Sequence, residues 1–127
     1  MSGVFICYRR DDSAETAGRL YDRLVTACGA QLVLKNVDNI PPGVDFAWYV
    51  QQTLAHMTVL LVVIGQRWLE VSDRGVARIN DPADHVHQEI QTALAKNLVV
   101  IPALVQQARR PRPHELRCWR GACARPL

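Results

Sequence analysis

Two arginines stand at the end of an apolar run near the start of the chain. The stretch VFICYRRDDS, residues 4–13, passes from apolar side chains through Tyr8 to Arg9 and Arg10, and then to Asp11 and Asp12. A buried strand that delivers four charges without a spacer presents them together at one edge of a sheet. We therefore expect a ligand at this end of the strand. The alternative is that the arginines form surface salt bridges with the two aspartates.

A glutamate in the second half of the chain is the other candidate for chemistry. At 100° per residue, Glu89 falls at the edge of the apolar stripe of a predicted helix, with His85 one turn earlier on the same side. A carboxylate at such a border is partly desolvated, which is typical of functional acids. The alternative is an ordinary boundary glutamate that pairs with His85 or with an arginine.

Four apolar runs and three amphipathic segments would position these residues. Strands are predicted over residues 4–8, 31–35, 59–64 and 98–105, and helices over 12–27, over 44–57 and from about 82. Asp12 and Asp81 are the predicted caps of the first and third helices. The alternation predicts an α/β fold in which helices cover both faces of a parallel sheet. In a flavodoxin-like three-layer sandwich of this kind, the strand order is second–first–third–fourth.

In such a sheet, ligands bind beyond the carboxyl ends of the strands, near the point where the strand order reverses. The loops expected there are residues 8–11, the proline-rich segment 36–46 and residues 66–68. A phosphoacceptor receiver domain is excluded because the third strand ends in Ile64-Gly65-Gln66 and lacks an aspartate. Glycine-rich phosphate loops are absent from the sequence as well.

Composition excludes several other classes. The 127 residues fit one domain, and no secretory signal or membrane-length apolar run is visible, which predicts a soluble cytoplasmic protein without a membrane partner. Residues 1–105 hold nine basic and eleven acidic residues, a net −2, so no nucleic-acid partner is expected. Cys7 and Cys28 are predicted to be free thiols, and Cys118 and Cys123 lack the second pair that a zinc site needs, so no metal is expected.

Three blocks in order resemble the Toll/interleukin-1 receptor (TIR) domain family, particularly its bacterial members and the NAD-cleaving axon-degeneration enzyme of animals. FICYRRDD resembles the first box of the family, VDNIPPGVDF its BB loop, and DHVHQEIQTALAKNLVVIPALV the αC helix and fourth strand of its catalytic members. The resemblance spans about residues 3–105.

The resemblance implies roles for individual residues. Glu89 takes the position of the catalytic glutamate, and His85 stands where the family has an aromatic residue. The substrate-binding residues implied are Tyr8, Arg9, Arg10, Asp38, Trp68 and His85. The BB loop, which mediates assembly in the family, corresponds to Ile40, Pro41, Pro42 and Gly43. Asn36 stands where this loop usually opens with an aspartate.

The function implied is that of an NAD+ nucleosidase in bacterial defence or virulence signalling, which gives nicotinamide and ADP-ribose or a cyclic variant. NAD+ is then the substrate, no cofactor is needed, and other TIR domains are partners in a homo-oligomer. The alternative is a non-catalytic module that assembles through its BB loop.

Residues 106–127 differ in character from the rest, with six arginines and one glutamate. We therefore predict a TIR domain over 1–105 that lacks the fifth strand and last helix of the family, followed by an irregular arginine- and proline-rich tail. An open fourth strand predicts marginal stability and self-association. Weak binding of the tail to nucleic acid or anionic lipid is a third, less favoured hypothesis.

Overall fold

The computed structural model describes residues 3–35, 43, 45–69, 78–80 and 84–108, with the backbone alone at residues 10, 11 and 78. Four strands form one parallel sheet: β1 (Val4–Cys7), β2 (Val33–Lys35), β3 (Val59–Ile64) and β4 (Val99–Leu104). Three helices connect them: α1 (Arg10–Cys28), α2 (Phe46–Leu54) and α3 (His85–Ala95). Short 3-10 turns stand at Ala30–Leu32 and Arg78–Asn80.

The strands lie in the order β2-β1-β3-β4, which confirms the predicted topology. All neighbours are parallel, and Val4 is in register with both Val33 and Val59, while Val59 is in register with Val99. The reversal of strand order therefore lies between β1 and β3. Since parallel strands point the same way, the residues after Cys7 and after Ile64 meet at one edge of the sheet.

Side chains alternate along each strand and build a core on both faces of the sheet. The face beneath α2 and α3 buries Phe5, Cys7, Val50, Leu54, Leu60, Val62, Trp68, Val86 and Ile90 among others. The face beneath α1 buries Ile6, Tyr8, Ala17, Val33 and Val63. Successive residues of β1 thus point to opposite faces of the sheet. Only those on the face beneath α2 and α3 can reach α3.

Two helix starts differ from the prediction. The first helix begins at Arg10 and is broken at Ser13, whose φ of −143° is not helical, and Asp12 does not cap it. Instead, the Asp12 carboxylate accepts hydrogen bonds from the backbone N–H groups of Gly65, at 2.9 Å, and Arg67, at 2.7 Å. The third helix is capped by Asp84, whose side chain accepts from the backbone N–H of His87, and not by Asp81.

Other boundaries lie close to those predicted. Gly29 ends α1 with a φ of +98°, a conformation that favours glycine. The second helix is shorter than predicted, and β4 ends one residue earlier at Leu104. No helix within the described ranges is long and apolar enough to cross a membrane. The predicted tail spans residues 106–127, of which 109–127 lie outside the described ones, so the prediction that the fifth strand and last helix are missing falls there.

Candidate functional site

The end of β1 sends its two polar side chains to opposite faces of the sheet. Tyr8 is buried in the core beneath α1, together with Ile6. Arg9 turns to the face covered by α3 and is 3% exposed. Of these two predicted substrate-binding residues, only Arg9 therefore lies on the face to which α3 contributes. The structure does not describe the side chain of Arg10.

Arg9 is held by two residues far away in sequence. Its Nη1 and Nη2 atoms donate to the two carboxylate oxygens of Asp84, at 2.7 and 2.9 Å. Its Nε donates to the backbone carbonyl of Trp68 at 3.0 Å, and the guanidinium lies 5.7 Å from the centroid of the Trp68 ring. The predicted alternative was pairing with Asp11 or Asp12; the observed partner is Asp84, and the side chain of Asp11 is not described.

The carboxylate of Asp84 has a second duty at the start of α3. Its Oδ2 accepts the backbone N–H of His87 at 3.0 Å, which satisfies one of the unpaired donors of the first turn. The ring Nδ1 of His87 lies 2.7 Å from the carbonyl oxygen of Ile79. The first turn of α3 is thereby joined to β1 and to the short 3-10 turn before it.

Glu89 is more deeply placed than its sequence position indicates. Its side chain is fully buried in the stripe that also contains Val86, Ile90 and Ala93, whereas the helical pattern predicts the edge of that stripe. The stripe packs onto the core face that contains Cys7. The acid therefore lies on the same face of the sheet as Cys7, at the end of β1.

The pKa of the Cys7 thiol is shifted by the charged groups around the end of β1. Burial raises its pKa well above the usual value, and the negative charge of Glu89 raises it further. Arg9 lowers the pKa, while a hydrogen bond with Glu89 and the charge of Asp84 raise it. Glu89, Arg9 and Asp84 are thus all close enough to act on the last residue of β1.

The aromatic residues divide into a buried one and a stacked pair, in which one ring is exposed and the other half-buried. Trp68 is fully buried in the core beneath α2 and α3, where its ring packs as a core residue. His85 is exposed and stacks on Phe46, with ring centroids 3.7 Å apart and an interplanar angle of 12°. Phe46 was not predicted as a site residue. Its position at the end of the proline-rich block, as the first residue of α2, is the signal that the sequence offers.

Several predicted site residues lie outside the described ones, namely Asp38, Ile40, Pro41 and Pro42. Gly43 is described and exposed, with a φ of +84° that favours glycine. Among the described residues, no group of three or more histidine, cysteine or acidic side chains could hold a metal ion. Cys118 and Cys123 lie outside this range.

Comparison with known proteins supplies the family context. The TIR domain profile matches residues 4–122, a range that passes the predicted domain boundary at 105, and that boundary stays a prediction. The fold is similar to the TIR domains in the structure of the activated Roq1 resistosome directly recognizing the pathogen effector XopQ. This likeness has a TM-score of 0.55 at 13% identity and covers 98% of this chain and 72% of that chain. No curated protein matches the sequence significantly.

Proposed function

Because the chain belongs to the TIR domain family, we propose that it cleaves the bond between nicotinamide and ribose in NAD+, with Glu89 as the catalytic carboxylate. The observation that carries this proposal is the burial of Glu89 on the face of the sheet where Arg9 and Asp84 meet at the end of β1. In parallel α/β sheets this end, at the reversal of strand order, is where ligands bind.

One carboxylate is sufficient for this reaction. As the bond between C1′ and the pyridinium nitrogen breaks, positive charge develops on the ribose, as in glycoside hydrolysis. A fixed carboxylate in a site that excludes water stabilises that charge strongly. The bonding electrons leave with nicotinamide, which departs as a neutral molecule and needs no general acid. Water then attacks C1′ and releases one proton, giving ADP-ribose, or an internal nucleophile closes a cyclic product.

The stacked rings of His85 and Phe46 offer a contact surface for the leaving group. His85 lies one turn before Glu89 on α3, and its ring is already stacked face to face on Phe46. A flat nicotinamide ring can use the same kind of contact, since offset stacking of aromatic rings is favourable. We therefore assign the nicotinamide to this aromatic pair.

The test is an assay of nicotinamide release from NAD+ at high protein concentration, in which chromatography measures the nicotinamide. Glu89→Gln should abolish release while the far-ultraviolet circular dichroism stays unchanged. Glu15→Gln is the matched control, because Glu15 is an exposed glutamate on α1 and should retain wild-type turnover. Equal turnover by the wild type and Glu89→Gln would refute the assignment.

A second candidate is assembly with other TIR domains through the BB loop. The similarity to TIR domains of a resistosome supports it, as do the exposed apolar side chains of Val99, Ile101 and Leu104 on β4. Replacing Pro42 should then abolish self-association in sedimentation experiments. An unchanged oligomer would count against a role of this loop.

A further inference from the structure

The bridge between Arg9 and Asp84 joins positions 75 residues apart in the sequence. The Arg9 side chain is 1% exposed and that of Asp84 is 11% exposed, so the pair is nearly removed from solvent. A buried ion pair is weak evidence for stability, because desolvation offsets much of the attraction. Its geometry is therefore the better guide to what it does.

That geometry fixes the start of α3 against the end of β1. The two parallel hydrogen bonds from Arg9 hold the Asp84 carboxylate in one plane, and the same carboxylate holds the backbone N–H of His87. Glu89 follows Asp84 by five residues, roughly 7.5 Å along the helix axis. Arg9 follows Cys7 by two residues, and Cys7 packs in the same core as Val86 and Ile90 of α3. The ion pair and this packing together restrict both sliding and rotation of α3.

Most N–H groups of the Arg9 guanidinium already donate hydrogen bonds within the protein. A guanidinium has five N–H donors, and at least three of those in Arg9 point at Asp84 and at the Trp68 carbonyl. A pyrophosphate would have to displace Asp84 to gain the same bidentate contact. The substrate contact predicted for Arg9 from the sequence therefore competes with an interaction that is already made.

We infer that Arg9 and Asp84 are positioning residues that act through Glu89: their bidentate bridge sets the placement of α3 and so the placement of the Glu89 carboxylate relative to the end of β1. This inference rests on the proposed NAD+ cleavage for its kinetic consequence. The structural consequence, a fixed first turn of α3, is independent of any activity.

The kinetic experiment compares Arg9→Lys, Asp84→Asn and the double variant in the full chain. Each single variant should lower kcat about 10- to 100-fold and leave KM within about twofold, because misplacing a catalytic group weakens only the transition state. The double variant should be no worse than the poorer single one, since both remove one interaction. Arg19→Lys and Asp22→Asn change exposed residues of α1 and should match the wild type.

Two kinetic results would overturn the inference. If Arg9→Lys raises KM while Asp84→Asn leaves kcat unchanged, Arg9 contacts the substrate directly. If Asp84→Asn raises kcat, the bridge between Arg9 and Asp84 limits turnover and does not place Glu89 for catalysis.

A second readout keeps the inference separate from the proposed function. Amide hydrogen exchange should show faster exchange across the first two turns of α3, including the amide of His87, in both single variants. Unchanged protection there would overturn the inference. Loss of protection together with an inactive wild type would refute NAD+ cleavage and leave the positioning bridge supported.

Discussion

The turn after β3 allows a sharp test of what fixes the position of Arg9, because a carboxylate from α1 binds the backbone of this turn. The Asp12 side chain accepts the backbone N–H groups of Gly65 and Arg67, and this turn leads to the Trp68 carbonyl that holds Arg9. A Cβ atom built on Gly65 would lie 2.6 Å from Oδ2 and 2.7 Å from Cγ of Asp12. Contacts this short do not persist, so Gly65→Ala must expel the carboxylate.

The magnitude follows from the two hydrogen bonds that are lost. A hydrogen bond to a charged group contributes about 1.5–3 kcal/mol. The bond to Arg67 lies at the surface, so water replaces part of it, whereas the bond to Gly65 is partly buried. We expect Gly65→Ala to lower the free energy of unfolding by about 2–4 kcal/mol, which lowers Tm by roughly 8–15 °C for a domain of this size.

The assay is urea unfolding followed by circular dichroism, with a double-mutant cycle. Asp12→Ala removes all three atoms that the new methyl group meets, so Gly65→Ala should cost less than about 1 kcal/mol in that background. Gly18→Ala is the control, since its Cβ meets nothing within 4 Å and the substitution should stabilise α1 by about 0.5–1 kcal/mol. The reasoning would be refuted if Gly65→Ala lowers the free energy of unfolding only slightly, or by the same large amount in the wild type and in Asp12→Ala.

Three further predictions test the surroundings of the site. Burial and Glu89 raise the pKa of Cys7, so the thiol loses its proton at lower pH in the unfolded chain than in the folded one. The free energy of unfolding should therefore fall above about pH 8.5, by up to about 1.4 kcal/mol per pH unit. Urea titrations at pH 8–10 should show this slope abolished by Cys7→Ala and kept in the exposed Cys28→Ala. Phe46→Ala should raise KM for NAD+ about fivefold in initial-rate assays, a loss of about 1 kcal/mol of stacking, whereas Trp48→Ala, exposed on the same helix, should not. Ile101→Lys should weaken self-association in sedimentation, because it places a charge on the exposed side of β4.

The strands could be predicted because their information is local and strong. The central strands β1 and β3 are apolar throughout, as expected where both faces of the sheet are covered. The helical pattern of Val86, Ile90 and Ala93 likewise indicates the buried side of α3, and all three are buried. These signals need no knowledge of what lies across the core.

The helix caps could not be predicted because several residues of the right type compete. Asp81 and Asp84 both have cap chemistry, and the choice of Asp84 accompanies its ion pair with Arg9, which lies far away in the sequence. Asp12 likewise has the side chain and spacing of a cap, yet its carboxylate serves two backbone donors after β3. Local rules describe what a carboxylate prefers, and tertiary contacts decide which donor it finds.

The candidate site was predictable in its parts and less so in its connections. Glu89 stands out by helical position, and the charged end of β1 stands out by its abrupt change of character. The partner of Arg9 and the ring that stacks on His85 depend on the approach of α2 and α3, which no spacing rule contains.

The enzymatic and assembly proposals differ in what they require of position 89. Burying a carboxylate in a stripe with Val86 and Ile90 costs free energy compared with burying an apolar side chain of similar size. Assembly through the BB loop or the side of β4 makes no use of that carboxylate, and a leucine at 89 would serve the core better. NAD+ cleavage does use it, because the same low dielectric that makes the charge costly to bury strengthens its attraction to positive charge developing on the ribose. The burial of Glu89 therefore has a functional reason under the first proposal that the second does not provide.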